Sequence, residues 1–582
     1  MRTRLAAGLS AGLALLVSGP VVLYAAGGLL SASAPFGKAP IAHARRGAVA
    51  SATPEATAAG AAVLAAGGNA VDAAVATAFA LAVTYPPAGN LAGGGFAVGR
   101  TPGGELWALD FRETAPAGTW RDSFLGPDGK ARRGASTHGG LAVGTPGTVR
   151  GLEALHRRFG KLPWARLVAP AVHLARDGFR VPPGLAKIFA LYAADLAQDA
   201  EASRLFLPGG VPIPAGALLV QKDLARTLET ITAQGADGFH RGEVARRVAA
   251  FVQSSGGVLT EEDLAGYRPE WRPPSVFDDG RFRLVTMPLP SSGGFLLASI
   301  LGQLRFVRGA IEDRDAPETL HLIAEAERRA YADRNRFLGD PDCVDVPLAS
   351  LLAPARLAAL GFSIDPARAT PSSSIAGGAW PKEPDQTTHL VTATADGGAV
   401  SLTYTLNDTL GNRTVVPGVG VVLNNEMDDF AVEPGAANTY GLVQGESNAV
   451  RAGARPLSSM TPTIVLEDGR PRLVLGSPGG GTIPTTVLQV YLNAAVRGEP
   501  LGEAVAARRF HHQHLPDRIE LETGAFPEDV KDALRAKGHS LDQRGTVYTG
   551  GMLGRVHAIA FEKDGSLTAA ADPRGYGAAG GQ

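Results

Sequence analysis

Asp385-Gln386-Thr387-Thr388-His389-Leu390 opens a run of β-forming residues that continues to Thr394, and the reading of this stretch decides the fold. Thr and Val dominate Thr387 to Thr394, which predicts a strand. Asp396-Gly397 follows, two residues that tolerate the positive φ of a tight turn. Ala399 to Leu406 then reads as the returning strand. Val400, Leu402, Tyr404 and Leu406 fall on one face, and Ser401, Thr403 and Thr405 on the other. Folding the chain about Asp396-Gly397 brings Thr405 within about one register position of Thr387, where side chains on paired strands touch.

Outward from the hairpin, the preceding segment Pro371 to Asp385 is rich in Pro, Ser and Gly and reads as an exposed linker. A large fragment would end there if the chain is cut before Thr387. The chain has 582 residues, and 45% of them are hydrophobic, which suits one large two-layered fold or several domains. A net charge of −1 offers no electrostatic footprint for nucleic acid, so a small-molecule partner is expected. The single cysteine, Cys343, excludes an internal disulfide, and no Cys-His pairing suggests a thiol nucleophile. At the N-terminus, Arg2 and Arg4 precede a mostly apolar run from Leu5 to Leu30, with Ala32-Ser33-Ala34 as a cleavage candidate. Gly19-Pro20 interrupts that run. Residues 1–34 therefore read as an export signal, either removed or kept as a membrane anchor, with the bulk of the chain periplasmic or extracellular.

Between these segments, Gly47 to Val83 predicts a short strand and two Ala-rich helices separated at Gly67-Gly68-Asn69. Gly89-Asn90-Leu91-Ala92-Gly93-Gly94-Gly95-Phe96 is backbone able to approach other segments closely. Leu106 to Glu113 reads as a strand ending in charge. Val143 to Tyr267 reads as helices with short loops, and Ser292 as a helix cap after the Pro288-Leu289-Pro290-Ser291 turn. His321 to Phe337 predicts a long charged helix with His321 on its surface. His511-His512-Gln513-His514 has metal-type residues, yet neighbours on a strand point apart and no acidic or Cys partner is suitably spaced. Gly476 to Thr482 mimics a phosphate-binding loop but lacks its Lys.

Five motifs follow one another in order: Thr387-Thr388-His389, Thr403-Tyr404-Thr405-Leu406-Asn407, Asn424-Asn425-Glu426-Met427-Asp428-Asp429-Phe430, Arg455-Pro456-Leu457-Ser458-Ser459-Met460 and Gly476-Ser477-Pro478-Gly479-Gly480. Together they resemble the γ-glutamyltranspeptidase (glutathione hydrolase) family of N-terminal-nucleophile hydrolases, over about Gly47 to Asp572-Pro573-Arg574. The resemblance implies an α+β fold, a four-layer α/β/β/α sandwich built from two fragments of one self-cleaved chain. Residues 35–386 would form the large subunit and 387–582 the small one, paired as a heterodimer.

The same resemblance implies that Thr387 Oγ1 attacks the Gln386 carbonyl, and that hydrolysis of the resulting ester frees Thr387 as an N-terminal nucleophile. Its own α-amine, with a near-neutral pKa, would then be the general base. Thr405 would orient Thr387, and Gly479 and Gly480 would supply the oxyanion hole. Arg112, in Asp110-Phe111-Arg112-Glu113, would hold a γ-glutamyl α-carboxylate together with Ser458 and Ser459. Asn407, Glu426 and Asp429 would hold the α-ammonium, and Tyr440 would sit in a lid loop. The implied reaction cleaves the γ-glutamyl amide of glutathione and related compounds through a γ-glutamyl-threonine ester and passes the acyl group to water or to an amino acid or dipeptide. It needs no cofactor and no metal.

This chain departs from common family variants at Ala92, at Glu426 (Gln in many bacterial relatives), at Gly411-Asn412-Arg413 and at Gly481-Thr482, which bears on acceptor choice. Two other readings stay open. One is a sister acylase acting on a glutaryl-β-lactam or on poly-γ-glutamate, and the other is an exported binding protein with a dead centre.

Overall fold

The computed structural model describes residues 36–309, 311–376, 387–432, 445–544 and 552–582. The hairpin forms as the alternation requires. Strands Thr388–Thr394 and Ala399–Thr405 pair antiparallel, with Thr388 opposite Tyr404 and Ala393 opposite Ala399. Gly397, at φ 91°, makes the turn, and the Asp396 carboxylate accepts from the Gly398 N–H at 3.2 Å. Thr387 precedes the observed strand and Leu406 follows its partner, so each strand is one residue shorter than expected.

The hairpin lies inside a seven-stranded sheet whose spatial order is Ala578–Gly581, Gly47–Ser51, Thr388–Thr394, Ala399–Thr405, Gly94–Arg100, Leu106–Phe111 and Glu270–Arg272. A second seven-stranded sheet runs Ile41–Ala44, Leu567–Ala571, His557–Phe561, Arg470–Gly476, Thr463–Glu467, Arg283–Thr286 and Ser275–Asp278. Both sheets interleave strands from before and after residue 387.

Side-chain alternation sorts the layers. Val400, Leu402 and Tyr404 join a core with the helices Pro54–Ala65, Ala70–Thr84, Trp164–Asp177 and Lys222–Gln234. The opposite face, with Val391, Ala393 and Ala399, packs on Val465, Leu473 and Leu475 of the second sheet. The Ser401 hydroxyl crosses that interface to donate to Leu475 O at 2.9 Å. The helices Gly293–Leu304, Pro317–Phe337 and Ile483–Tyr491 cover the far side. This is the expected α/β/β/α sandwich.

Local signals explain the helix pair beside the hairpin. Asn69 and Asp72 form a reciprocal capping box that starts Ala70–Thr84. Every residue of that helix is buried, which its apolar, small-residue sequence permits. A Cβ at Gly60 would stand 2.2 Å from Thr77 Oγ1, so a larger residue there would force the two helices apart.

One expectation is corrected and a second is narrowed. His321 is fully buried: the helix Pro317–Phe337 is roofed by the segment around His539, and the two imidazoles are hydrogen-bonded at 2.7 Å. Most charges of that helix are buried too, Glu318 and Arg336 being exposed, and the buried ones include pairs of Arg329 with Glu325 and of Arg328 with both Glu325 and Asp517. The start of the Pro371–Asp385 linker is exposed at Pro371, Ser373, Ser374 and Ala376, as expected, but is pinned at one residue. Ser372 is buried, donating to His514 O at 2.6 Å and receiving Arg328 Nη1 at 2.7 Å. The rest of that linker from 377 on, the N-terminal segment 1–34 and Gln386 lie outside the described residues. Among the described residues, no helix is long and apolar enough to cross a membrane.

Candidate active site

The hairpin register fixes the chemistry end of the site. Thr388 faces Tyr404, so one step back along the pair sets Thr387 against Thr405. Both are nearly inaccessible and line one small pocket with Arg112, Asn407, Glu426, Asp429, Ser458, Ser459, Met460, Gly480 and Ile483. Its volume, about 20 Å³, is room for about one water.

The backbone around Thr405 is locked from both sides. Thr405 O accepts from Asn90 Nδ2 at 2.8 Å, and a Cβ on Gly93 would lie 2.0 Å from the same oxygen, so only glycine fits there. The Thr405 hydroxyl accepts the Asn407 N–H at 2.9 Å. Asn407 turns out of the strand at φ 75°, a left-handed conformation that Asn tolerates, and its amide donates to Asn425 O.

The recognition end is built from charge. Arg112 follows the strand Leu106–Phe111 and is fully buried, its main-chain carbonyl receiving the Tyr267 hydroxyl at 2.7 Å. Its guanidinium pairs with Glu426 through Nη1 and with Asp429 through Nη2, while Nε donates to Pro456 O at 3.3 Å. Burial alone would lower the Arg112 pKa, but the carboxylates of Glu426, Asp429 and Glu113 outweigh it and hold the guanidinium charged. Burial likewise raises Glu426 well above the usual carboxylate range and pushes Glu113 up to about 7, against the pull of Arg112. Glu426 is the closer partner of the shared cation and Glu113 lies 3.9 Å from Nη1, so the two acids are coupled, and burial holds a proton on the pair toward neutrality.

The serine pair is held by residues that precede Thr387 in the chain. Ser459 Oγ receives Arg334 Nη2 at 2.7 Å, and the Ser292 N–H and hydroxyl both donate to Ser458 O. Ser292 precedes the helix Gly293–Leu304 but makes no side-chain cap, because its hydroxyl is committed to this contact. Behind the pocket, Gly479 takes φ 139° and Gly480 φ 55° before a 3₁₀ turn Gly480–Thr482 leads into Ile483–Tyr491. Only glycine enters these conformations without strain.

One pocket thus gathers two threonine side chains, a glycine turn and an Arg-carboxylate cluster, a set of groups suited to acyl transfer on a charged substrate. A family model described as Gamma-glutamyltranspeptidase matches residues 56–582. The chain belongs to the γ-glutamyltranspeptidase family. A curated relative, the glutathione hydrolase proenzyme of Escherichia coli (strain K12), is 44% identical over 534 residues, 91% of each chain. The cephalosporin acylase of Bacillus halodurans superposes with a TM-score of 0.80 at 27% identity, covering 96% of this chain and 99% of that one. The γ-glutamyltranspeptidase of Helicobacter pylori gives 0.55 at 37% identity, covering 61% of this chain and 97% of the solved chain.

Of the γ-glutamyltranspeptidase residues expected from sequence, Thr387, Thr405, Arg112, Asn407, Glu426, Asp429, Ser458, Ser459 and Gly480 meet in the pocket. Gly479 sits one residue behind its lining, and Tyr440 and Gln386 lie outside the described residues. Asp428 is no solvated loop residue. It is buried, takes the Ser136 hydroxyl at 2.5 Å and is pushed by burial up to about 6.

Sequence reasoning quoted but did not assign Glu113, Asn424 and Asn425. Asn424 ties the Gly144 and Glu426 N–H groups to one amide oxygen, and Asn425 receives the Asp408 N–H. Their signal was position: each adjoins a charged site residue.

Other candidates separate from this pocket. A larger cleft of about 440 Å³ between Glu201, Arg204, Asp223 and Arg226 has its charges paired with one another. The imidazoles of His511 and His512 turn to different partners: Thr485 and Gln513 for His511, and Asp517 and the His514 N–H for His512. Among the described residues, His321, Glu325 and His539 are grouped closely enough for a cation, but the two rings bond each other and Arg328 and Arg329 hold Glu325.

Proposed function

We propose that this protein is a self-processed γ-glutamyl hydrolase and transferase whose nucleophile is Thr387. The observation that carries the reading is the single pocket that joins Thr387 and Thr405 to Arg112, Glu426, Asp429, Ser458 and Ser459. A γ-linked glutamate presents a carboxylate and an ammonium on one carbon, at the far end from its scissile amide. Arg112 with the two serines suits the carboxylate, and Glu426, Asp429 and Asn407 suit the ammonium. To admit that head, Arg112 must exchange its two internal carboxylates for the substrate's.

In the processed protein the Thr387 amine takes the proton of its own hydroxyl as Oγ1 adds to the γ-carbonyl carbon, and the carbonyl π pair moves to oxygen. Collapse breaks the C–N bond, and the departing amine takes the proton. Water or an amino-acid amine then cleaves the ester by the reverse sequence. Maturation uses the same hydroxyl on the Gln386 carbonyl, giving two subunits that remain together. The apolar run near the N-terminus supports export, with the segment either removed or kept as a tether.

The likeness to a cephalosporin acylase favours a second reading, in which a glutaryl chain replaces the glutamyl one. A glutaryl group has no ammonium, and the Glu426–Asp429 pair then loses its ligand, so the glutamyl reading is preferred.

The test is intact mass and N-terminal sequencing of the purified protein beside Thr387→Ala. Two wild-type fragments, the smaller beginning Thr-Thr-His, one uncut variant chain, and release of glutamate from a γ-glutamyl anilide are expected. A wild-type chain that stays uncut and inert would sink the reading, and release from a glutaryl anilide alone would favour the acylase.

A further inference from the structure

The turn from Ser477 to Thr482 has its carbonyls held one by one. Pro478 O accepts the Ser477 hydroxyl at 2.7 Å. Gly479 O accepts twice, from the Thr482 N–H at 3.1 Å and from the Thr482 hydroxyl at 2.8 Å. Gly480 O accepts the Ile483 N–H, and Gly481 O receives the Tyr331 hydroxyl at 2.5 Å from the large-fragment helix. Thr482 O accepts from Thr485 Oγ1 at 3.0 Å.

Peptide planarity converts these anchors into aim. Cis bonds among the described residues occur at Leu289-Pro290 and Leu515-Pro516, so the 479–480 peptide is trans, with its C=O and N–H pointing oppositely. Fixing Gly479 O toward Thr482 therefore turns the Gly480 N–H the other way. As the first residue of the 3₁₀ turn, Gly480 has no partner for that N–H within the turn, and it lines the pocket with Thr387. The peptide would swing readily on glycine backbone, because φ 139° at Gly479 and φ 55° at Gly480 are two of many conformations open to glycine. Something other than a side chain on those residues must hold it.

We propose that Thr482 is a positioning residue for acyl transfer: its hydroxyl, bound to Gly479 O, locks the 479–480 peptide so that the Gly480 N–H meets the oxyanion formed when Thr387 adds to the carbonyl. This deepens the reading above and rests on it. Thr482 touches no reacting atom. It acts through Gly479 and Gly480, and its effect belongs to the transition state, where negative charge has developed on oxygen.

The experiment compares processed wild type with Thr482→Val, which keeps the shape and loses the hydroxyl, with Thr482→Ser, which restores it, and with Thr482→Ala. A γ-glutamyl anilide serves as substrate, and active sites are counted by the processed fraction. The expected result is a kcat about tenfold lower in Thr482→Val and Thr482→Ala, a fraction of the loss from deleting a direct donor. KM should stay within about twofold of wild type, and Thr482→Ser should recover most of the kcat. Thermal midpoints are measured alongside, because a merely structural hydroxyl would lower them and would spread its effect over KM. Wild-type kcat in Thr482→Val overturns the proposal, as does failure of Thr482→Ser to recover, or a loss confined to KM. If Thr482→Val does not process, Thr482→Ser and Thr482→Ala decide between the same outcomes. Absence of any γ-glutamyl turnover in wild type would instead reject the underlying reading.

Discussion

The two ends of the pocket are held by different physics. At the Thr387 end the groups are neutral and the backbone does the holding: Asn90 on Thr405 O, the Thr405 hydroxyl on the Asn407 N–H, Thr482 on Gly479 O. At the Arg112 end the side chains are ionic and hold one another, with Glu426 and Asp429 closing on a buried guanidinium. A backbone-held group keeps its place whether or not a ligand is present. An ion cluster shut on itself must exchange partners when a ligand enters, and in a buried site the exchange has to be complete, since a stranded charge there costs several kcal/mol. On the function proposed above, a rigid reaction centre would sit beside an electrostatic latch that opens to a ligand carrying both charges.

The largest blow to this contrast should come from Arg112→Gln. It leaves Glu426 and Asp429 buried without their cation, so destabilisation of about 3–5 kcal/mol is expected in chemical unfolding. A fall in kcat/KM of about a hundredfold or more should accompany it, measured on whatever fraction is processed. A stable, well-binding variant would show that the ion cluster is incidental. Glu426→Gln should be milder, because Asp429 still pairs with Arg112. KM should rise about tenfold with little change in kcat, the signature of binding lost equally in ground and transition states. A kcat loss without a KM change would erase the division between the two ends.

The smallest effect is a slope. Glu113 has its carboxyl raised to about 7 by burial, so between about pH 4.5 and 7 the folded chain binds a proton that the unfolded chain has released. Stability from this group is therefore greatest in acid and falls as pH rises through that window, by up to about 1.4 kcal/mol per pH unit, and is level above it. Equilibrium unfolding of the uncut Thr387→Ala chain, with and without Glu113→Gln, isolates the term. A pH-independent difference between the two would mean that Glu113 titrates as an ordinary surface acid.

Much of this was legible in the residues. Alternation fixed the hairpin and its faces, Asp396-Gly397 fixed the turn, and the register that pairs Thr387 with Thr405 follows from counting back along the strands. The site residues came from motif resemblance, and the fold brings them together because strand ends and loops converge at one edge of the sheet. What sequence did not show is what lies across a tertiary gap. His321 looks like a surface residue on its helix until the segment around His539 covers it. Ser292 looks like a cap until Ser458 claims its hydroxyl. Arg112 looks like a free carboxylate receptor, and only the folded chain reveals that Glu426 and Asp429 already occupy it. Ser372 looks like linker, but Asp517 and His514, distant in the chain, pin it down.

The interleaving of the two sheets has a consequence for what a cut before Thr387 would make. Strands Thr388–Thr394 and Ala578–Gly581 both lie against Gly47–Ser51, Ala399–Thr405 against Gly94–Arg100, Thr463–Glu467 against Arg283–Thr286, and Leu567–Ala571 against Ile41–Ala44. Each of these ladders joins one side of the cut to the other. The two products are therefore never independent solutes that find each other, and dilution cannot part them. Association would be inherited from a folding event completed while the chain was whole, so melting the nicked protein would be a one-way step, with two loose pieces that must then meet by diffusion and rebuild five shared seams.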